Sequence, residues 1–180
     1  MRSYRSYRPS KVLAAVIAVT SIVVVAPVTA SARQPCTITG TSGADELNGT
    51  PGPDVICGKG GRDYISAKSG NDVVYGGKGA DIVYGRPGQD RIVGGPGADN
   101  LWGGLAQDRI FAGPGRDTAV GQQQRDLVDG GPGSDICLSG IDEHPLDRVL
   151  GGRGNDRGDA DPGDITASIE DLVDFLCYGG

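Results

Sequence analysis

The chain has 180 residues, including 32 glycines, with only 5% aromatics and a formal net charge of −6. Glycine at that load without a G-X-Y period excludes collagen, and so few aromatic side chains argue against a conventional globular core at this length. The acidic balance disfavours nucleic acid and anionic lipid as partners and favours cations.

From the start of the chain, residues 1–32 read as a secretory signal peptide. Arg2, Arg5, Arg8 and Lys11 form a basic n-region, Val12 to Ala26 an apolar run, and Ala30-Ser31-Ala32 a small-x-small cleavage site. The apolar run is short for a membrane span, and Pro27 follows it at once. No twin-arginine pair is present, so the general export route is expected, and no lipid anchor is read at Cys36. Cleavage removes four of the 17 Lys and Arg and none of the 23 Asp and Glu, taking the net charge from −6 to −10.

Four cysteines follow: Cys36, Cys57, Cys137 and Cys177. An even count in an exported chain implies two disulfides, for which three connectivities exist. Cys36–Cys57 and Cys137–Cys177 are preferred, because each ties an end of the molecule to its nearest repeats. Zinc is disfavoured: there is no C-x-x-C pair, and His144 is the one histidine.

Residues 33–39 are expected to cap the N-terminal end. An internal repeat then governs the chain. Starting at Asp45, every ninth residue is aspartate: Asp54, Asp63, Asp72, Asp81, Asp90, Asp99, Asp108, Asp117, Asp126 and Asp135. Glycine usually stands two residues before the aspartate, and a β-branched or aliphatic residue two after it. The clearest copies run from Gly76-Gly77-Lys78-Gly79-Ala80-Asp81 to Tyr84 and from Gly94-Gly95-Pro96-Gly97-Ala98-Asp99 to Trp102. A six-residue turn and a three-residue strand let the chain coil with two repeats per turn. Glycine reaches the φ > 0 that tight turns need, and side chains alternate in each strand, so the aliphatic residue points inward.

This G-G-x-G-x-D-x-U-x pattern resembles the RTX family of hemolysin-type calcium-binding repeats. The resemblance covers residues 40–138, with a degraded repeat further on. It implies an all-β fold, a right-handed parallel β-roll (β-solenoid) with two repeats per coil and a short C-terminal cap. It also implies Ca2+ bound between turns n and n+2 of one edge, by their aspartates and turn carbonyls. Alternate repeats fall on opposite edges: Asp45, Asp63, Asp81, Asp99, Asp117 and Asp135 on one, and Asp54, Asp72, Asp90, Asp108 and Asp126 on the other. Rows of carboxylates repel unless a cation intervenes, and calcium, a hard ion taking 6–8 oxygens, suits them. Eleven repeats allow at most nine such sites. Gly76, Gly77, Gly79, Gly94, Gly95 and Gly97 are the turn glycines expected beside the metal. Weak copies are expected where Ala67-Lys68-Ser69, Ala106 and Gln122-Gln123-Gln124 replace glycine, leaving Asp72 to Asp99 as the cleanest run. A metal-free solenoid whose aspartates only cap turns is the competing reading.

The register breaks after Leu138. Asp147 and Asp156 are nine apart but out of phase with Asp135, so residues 139–159 read as an inserted loop and a degraded repeat. Residues 160–180 hold the apolar stretch Ile165 to Tyr178, expected to cover the end of the solenoid as strand or short helix.

No catalytic motif is found, neither H-E-x-x-H nor G-x-S-x-G, and no enzyme is expected. Arg157-Gly158-Asp159 and the Asn48-Gly49-Thr50 sequon read as incidental in a chain of this composition. The expected function is a secreted calcium-ion-binding protein that folds on binding Ca2+, with no membrane span after signal removal and no protein or glycan partner identified. The alternative is an extracellular adhesive or carbohydrate-binding module, for which Tyr84 and Trp102 on one outer face would supply the rings. An ice-binding array is disfavoured because only Thr41 and Thr50 line up in successive repeats.

Overall fold

The fold follows from a repeat that alternates turn chemistry with a short β-branched run. In the computed structural model, the described residues are 35–139, 148–159, 165–167 and 171–172. They form sixteen strands and, among the described residues, no helix.

The odd-numbered strands make one eight-stranded sheet: β1 (Ile38–Thr39), β3 (Val55–Gly60), β5 (Val73–Lys78), β7 (Arg91–Val93), β9 (Arg109–Phe111), β11 (Leu127–Asp129), β13 (Arg148–Leu150) and β15 (Ile165–Ala167). The even-numbered strands make the other: β2 (Glu46–Asn48), β4 (Tyr64–Ser66), β6 (Ile82–Pro87), β8 (Asn100–Leu105), β10 (Thr118–Gln123), β12 (Ile136–Ser139), β14 (Arg157–Asp159) and β16 (Asp171–Leu172). The chain crosses from one sheet to the other at every turn, and all pairings are parallel. This is a parallel β-solenoid.

Through most of the chain each residue pairs with the one eighteen positions on, which is two repeats: Ile56 with Val74, Val74 with Ile92, Val83 with Leu101. Equivalent positions therefore stack at the strand spacing of about 4.8 Å. The core is a ladder of single side chains. Ile56, Ile65, Val74, Val83, Ile92, Leu101, Ile110, Val128 and Val149 are all fully buried, with Ala67, Ala112 and Ala119 filling the remaining space. Each large member contributes about 1.5–3 kcal/mol by leaving water, and little else apolar is available to oppose chain entropy.

The register break is absorbed without ending the sheets. Leu127 pairs with Arg148, twenty-one positions on, and Ile136 pairs with Arg157 before a one-residue shift at Leu138 and Gly158. Val149 enters the core ladder beside Val128. In the C-terminal region, β15 and β16 add to the two sheets. At the other end, β1 pairs with β3, and a disulfide joins Cys36 to Cys57. The expected signal peptide, most of the expected inserted loop, most of residues 160–180 and Cys177, with its expected bond to Cys137, lie outside the described residues.

Candidate metal centre

Each repeat aspartate sits at the end of its turn, one residue before the strand. All are buried except the first. Asp81, Asp108, Asp117 and Asp135 are 0% exposed, and Asp54, the most accessible of the buried set, only 6%. In most copies a glycine stands five positions earlier and leaves room for the carboxylate, while Ala67 and Ala112 hold that place ahead of Asp72 and Asp117. A Cβ on Gly76 would lie 2.7 Å from Asp81 Oδ2, and one on Gly94 would lie 2.6 Å from Asp99 Oδ2. The carboxylate occupies the volume that a side chain would take.

One oxygen of each carboxylate ties two coils together. The Asp63 N–H donates to Asp81 Oδ1 at 2.9 Å, and the Asp81 N–H donates to Asp99 Oδ1 at 2.8 Å. The same bond, always across eighteen residues, links Asp54 to Asp72, Asp72 to Asp90, Asp90 to Asp108 and Asp99 to Asp117. Two unbroken rows result, one on each edge. The sequence row ending at Asp135 goes one step further in space. Asp135 donates its N–H to Asp156 Oδ1 at 3.0 Å, and Asp156 is 1% exposed. The insertion hid this member, although the turn motif before it was visible.

The second oxygen decides the chemistry. Oδ2 of Asp63, Asp72, Asp81, Asp90, Asp99, Asp108, Asp117 and Asp135 is buried and accepts no hydrogen bond. A buried acceptor without a partner costs about 1–3 kcal/mol, and more if charged. The protonation equilibria register the same cost. Burial pushes Asp90 and Asp99 up to about 7 and Asp108 to about 8, against the donated backbone N–H and with the help of like charges along the row. Asp117 and Asp135 rise to about 6, and Asp63, Asp72 and Asp81 are also raised, burial being the first cause in each.

The first coil is built differently. Asp45 Oδ2 accepts the Thr41 N–H at 2.6 Å and the Thr41 hydroxyl at 3.0 Å. Asp54 Oδ2 accepts the Thr50 N–H at 2.7 Å and the Thr50 hydroxyl at 2.9 Å, and its Oδ1 takes the Thr37 hydroxyl at 3.0 Å. The Thr50 N–H is the main reason Asp54 lies below the ordinary carboxylate range.

The turns place a positive φ four residues before the aspartate. Gly77 and Gly95 meet this freely at +115° and +112°, whereas Lys59, Lys68, Arg86 and Gln122 adopt φ of 73–80° with a side chain present. Ala106 and Gln124 do the same two residues before Asp108 and Asp126. Lys68, Ala106, Gln122 and Gln124 lie in the copies expected to be weak. Lys59 and Arg86 were not anticipated, and Arg86 falls inside the run expected to be cleanest. Gly79 has φ of +119°, and a Cβ there would run into the Gly61 carbonyl. Gly97 has no room for a side chain either, being packed on the Gly79 carbonyl.

Among the described residues, no three His, Cys, Asp or Glu side chains converge. The polar atoms beside each carboxylate are backbone carbonyls: the Gly94 carbonyl and Asp81 Oδ2 both border the space at Gly76, and the Ala112 carbonyl and Asp99 Oδ2 the space at Gly94. That donor set, carboxylate plus carbonyl oxygen with no nitrogen or sulfur, suits a hard cation. Four overlapping stretches, residues 39–74, 58–92, 84–119 and 111–142, match the RTX calcium-binding nonapeptide repeat. The chain belongs to this family. No curated protein and no solved structure matches it. As an RTX repeat protein the chain binds Ca2+, and the buried carboxylate rows are the feature of its structure that fits that ion. The repeat family is structural and calcium-binding rather than catalytic.

The outer aromatics pack on one another. Tyr84 and Trp102 stack at 4.7 Å between centroids and 10° between planes, Tyr64 lies 5.7 Å from Tyr84, and the Arg86 guanidinium sits 4.9 Å from the Tyr84 centroid. Rings in register on adjacent strands spend their faces on each other.

Proposed function

We propose that this protein is exported largely unfolded and takes up its solenoid outside the membrane, as calcium becomes available. The observation that carries this is the set of eight buried Oδ2 atoms with no hydrogen-bond partner. The residues proposed to hold the ions are Asp63, Asp72, Asp81, Asp90, Asp99, Asp108, Asp117 and Asp135, with turn carbonyls around Gly76 to Gly79 and Gly94 to Gly97. A bound calcium ion supplies the positive charge and oxygen coordination that these carboxylates lack. The chain does the rest. At turns such as those of Gly76 and Gly94, glycine keeps a Cβ out of the carboxylate space, the coil-to-coil N–H bonds hold each Oδ1 in place, and the Val and Ile ladder sets the register.

Without the ion, the thin core does not offset both chain entropy and the burial of charge, so ion binding is folding energy. The Cys36–Cys57 disulfide and the basic, apolar and small-residue segments of residues 1–32 support an oxidising destination outside the cytoplasm. A far-UV circular dichroism titration tests the proposal. The β signal should appear as calcium rises into the range about 10⁻⁴–10⁻³ M typical of extracellular modules. An identical spectrum in chelator and in millimolar calcium at neutral pH would overturn it. A carbohydrate-binding role gains no support, because the rings that would serve it are stacked on one another.

A further inference from the structure

We infer that Thr41 and Thr50 set where the calcium ladder begins, by making the first two turns self-sufficient. The inference rests on the proposed ion-binding role of the later aspartates.

In both turns the threonine stands four residues before the aspartate and glycine two before it: Thr41-Ser42-Gly43-Ala44-Asp45 and Thr50-Pro51-Gly52-Pro53-Asp54. The pattern builds a closed hydrogen-bond box. The threonine N–H and hydroxyl both donate to the aspartate Oδ2. The threonine Oγ1 in turn accepts the N–H of Gly43 at 3.1 Å, or of Gly52 at 3.3 Å. Neither threonine nor either glycine has positive φ. In the later turns the position four before aspartate has positive φ, and its N–H points elsewhere. The Gly77 N–H donates to the Gly94 carbonyl and the Gly95 N–H to the Ala112 carbonyl. The Oδ2 atoms of Asp81 and Asp99 are left without a donor. The two turn types thus differ at one sequence position. With threonine there, two protein donors satisfy the oxygen; with a residue at positive φ, the oxygen is left for a cation.

A cation entering the first coil would have to displace two short hydrogen bonds at each carboxylate, whereas one entering a later turn displaces none. The first coil is therefore a metal-independent end plate. The Cys36–Cys57 disulfide and the bond from the Thr37 hydroxyl to Asp54 close it. It presents finished Asp45 and Asp54 N–H groups to the Oδ1 atoms of Asp63 and Asp72, the first ladder members.

The test counts calcium ions per folded chain by equilibrium dialysis of the full-length mature protein, with circular dichroism as the check on folding. The double variant Asp45→Asn, Asp54→Asn should bind as many ions as the wild type, because the amide oxygen still accepts the Thr41 or Thr50 donors. Asp81→Asn, Asp99→Asn should bind fewer. Lys68→Thr should lose about one ion, since it writes the threonine pattern ahead of Asp72 at a position that already carries a side chain. If the first pair loses ions as the second pair does, the inference fails. It fails as well if Lys68→Thr folds and retains the full count. Should the Asp45, Asp54 variant not fold, the Lys68→Thr count alone decides. A wild type that binds no calcium would instead sink the ion-binding role itself, a result distinct from either of these.

Discussion

The sharpest consequence of the buried rows is that protons and calcium should substitute for each other. Consider the protein held in chelator while pH is varied. Asp90 rises from an ordinary 3.8 to about 7 on folding, and Asp108 to about 8. A rise from 3.8 to about 7 corresponds to about 4 kcal/mol per group at pH above both values, since each pKa unit is about 1.4 kcal/mol. A small domain has only about 5–15 kcal/mol of stability in total, so a few such groups ionised together are enough to unfold a metal-free solenoid.

A folded-state pKa raised above the unfolded value contributes stability that is fully present below about 4. It is lost as pH climbs through the folded values, here about 6 to 8. Asp54, lowered by its Thr50 donor, works in the opposite direction but is a single group. The expectation is therefore a chelated protein more thermostable near pH 4.5 than near pH 7.5, with calcium abolishing that difference by stabilising the neutral-pH state. Thermal melts followed by far-UV circular dichroism, with and without calcium at both pH values, measure it. A chelated protein whose melting temperature is flat or increases from pH 4.5 to 7.5 would refute the reasoning.

Other outcomes follow from the same geometry. Ile92→Ala, at a fully buried rung of the core, should cost about 2–5 kcal/mol and raise the calcium concentration needed for half-folding, read by Trp102 fluorescence. Gly76→Ala places a Cβ 2.7 Å from Asp81 Oδ2 and 2.8 Å from the Gly94 carbonyl. It should weaken calcium binding and lower the melting temperature in calcium, whereas the same change at Gly43, whose nearest neighbour would be 3.8 Å away, should be nearly silent in both assays. Reduction of Cys36–Cys57, which spans 21 residues, should cost about 3 kcal/mol, seen as a higher calcium midpoint in reductant.

Much of the molecule was legible from one aspartate in nine. That spacing, with the glycines before it and the aliphatic residue after it, implies a coil of eighteen residues, a single-file core and two acidic edges. All three are consequences of period and chirality that hold wherever the repeat is unbroken. The repeat could not reveal what each carboxylate oxygen does. Asp54 and Asp81 hold the same place in the repeat and differ four residues back, Thr50 against Gly77, yet the spacing alone does not say that Asp54 Oδ2 holds two Thr50 donors and Asp81 Oδ2 none. The difference arises from the φ of a residue four positions back and the direction of its N–H, which depend on pairing with the next coil. Asp156 is likewise out of phase in the sequence, and only the sheet pairing across the register break returns it to its row. Periodicity settles which residues are equivalent along a solenoid. The stacking of one coil on the next decides which equivalent residues are satisfied by the protein and which are left for an ion.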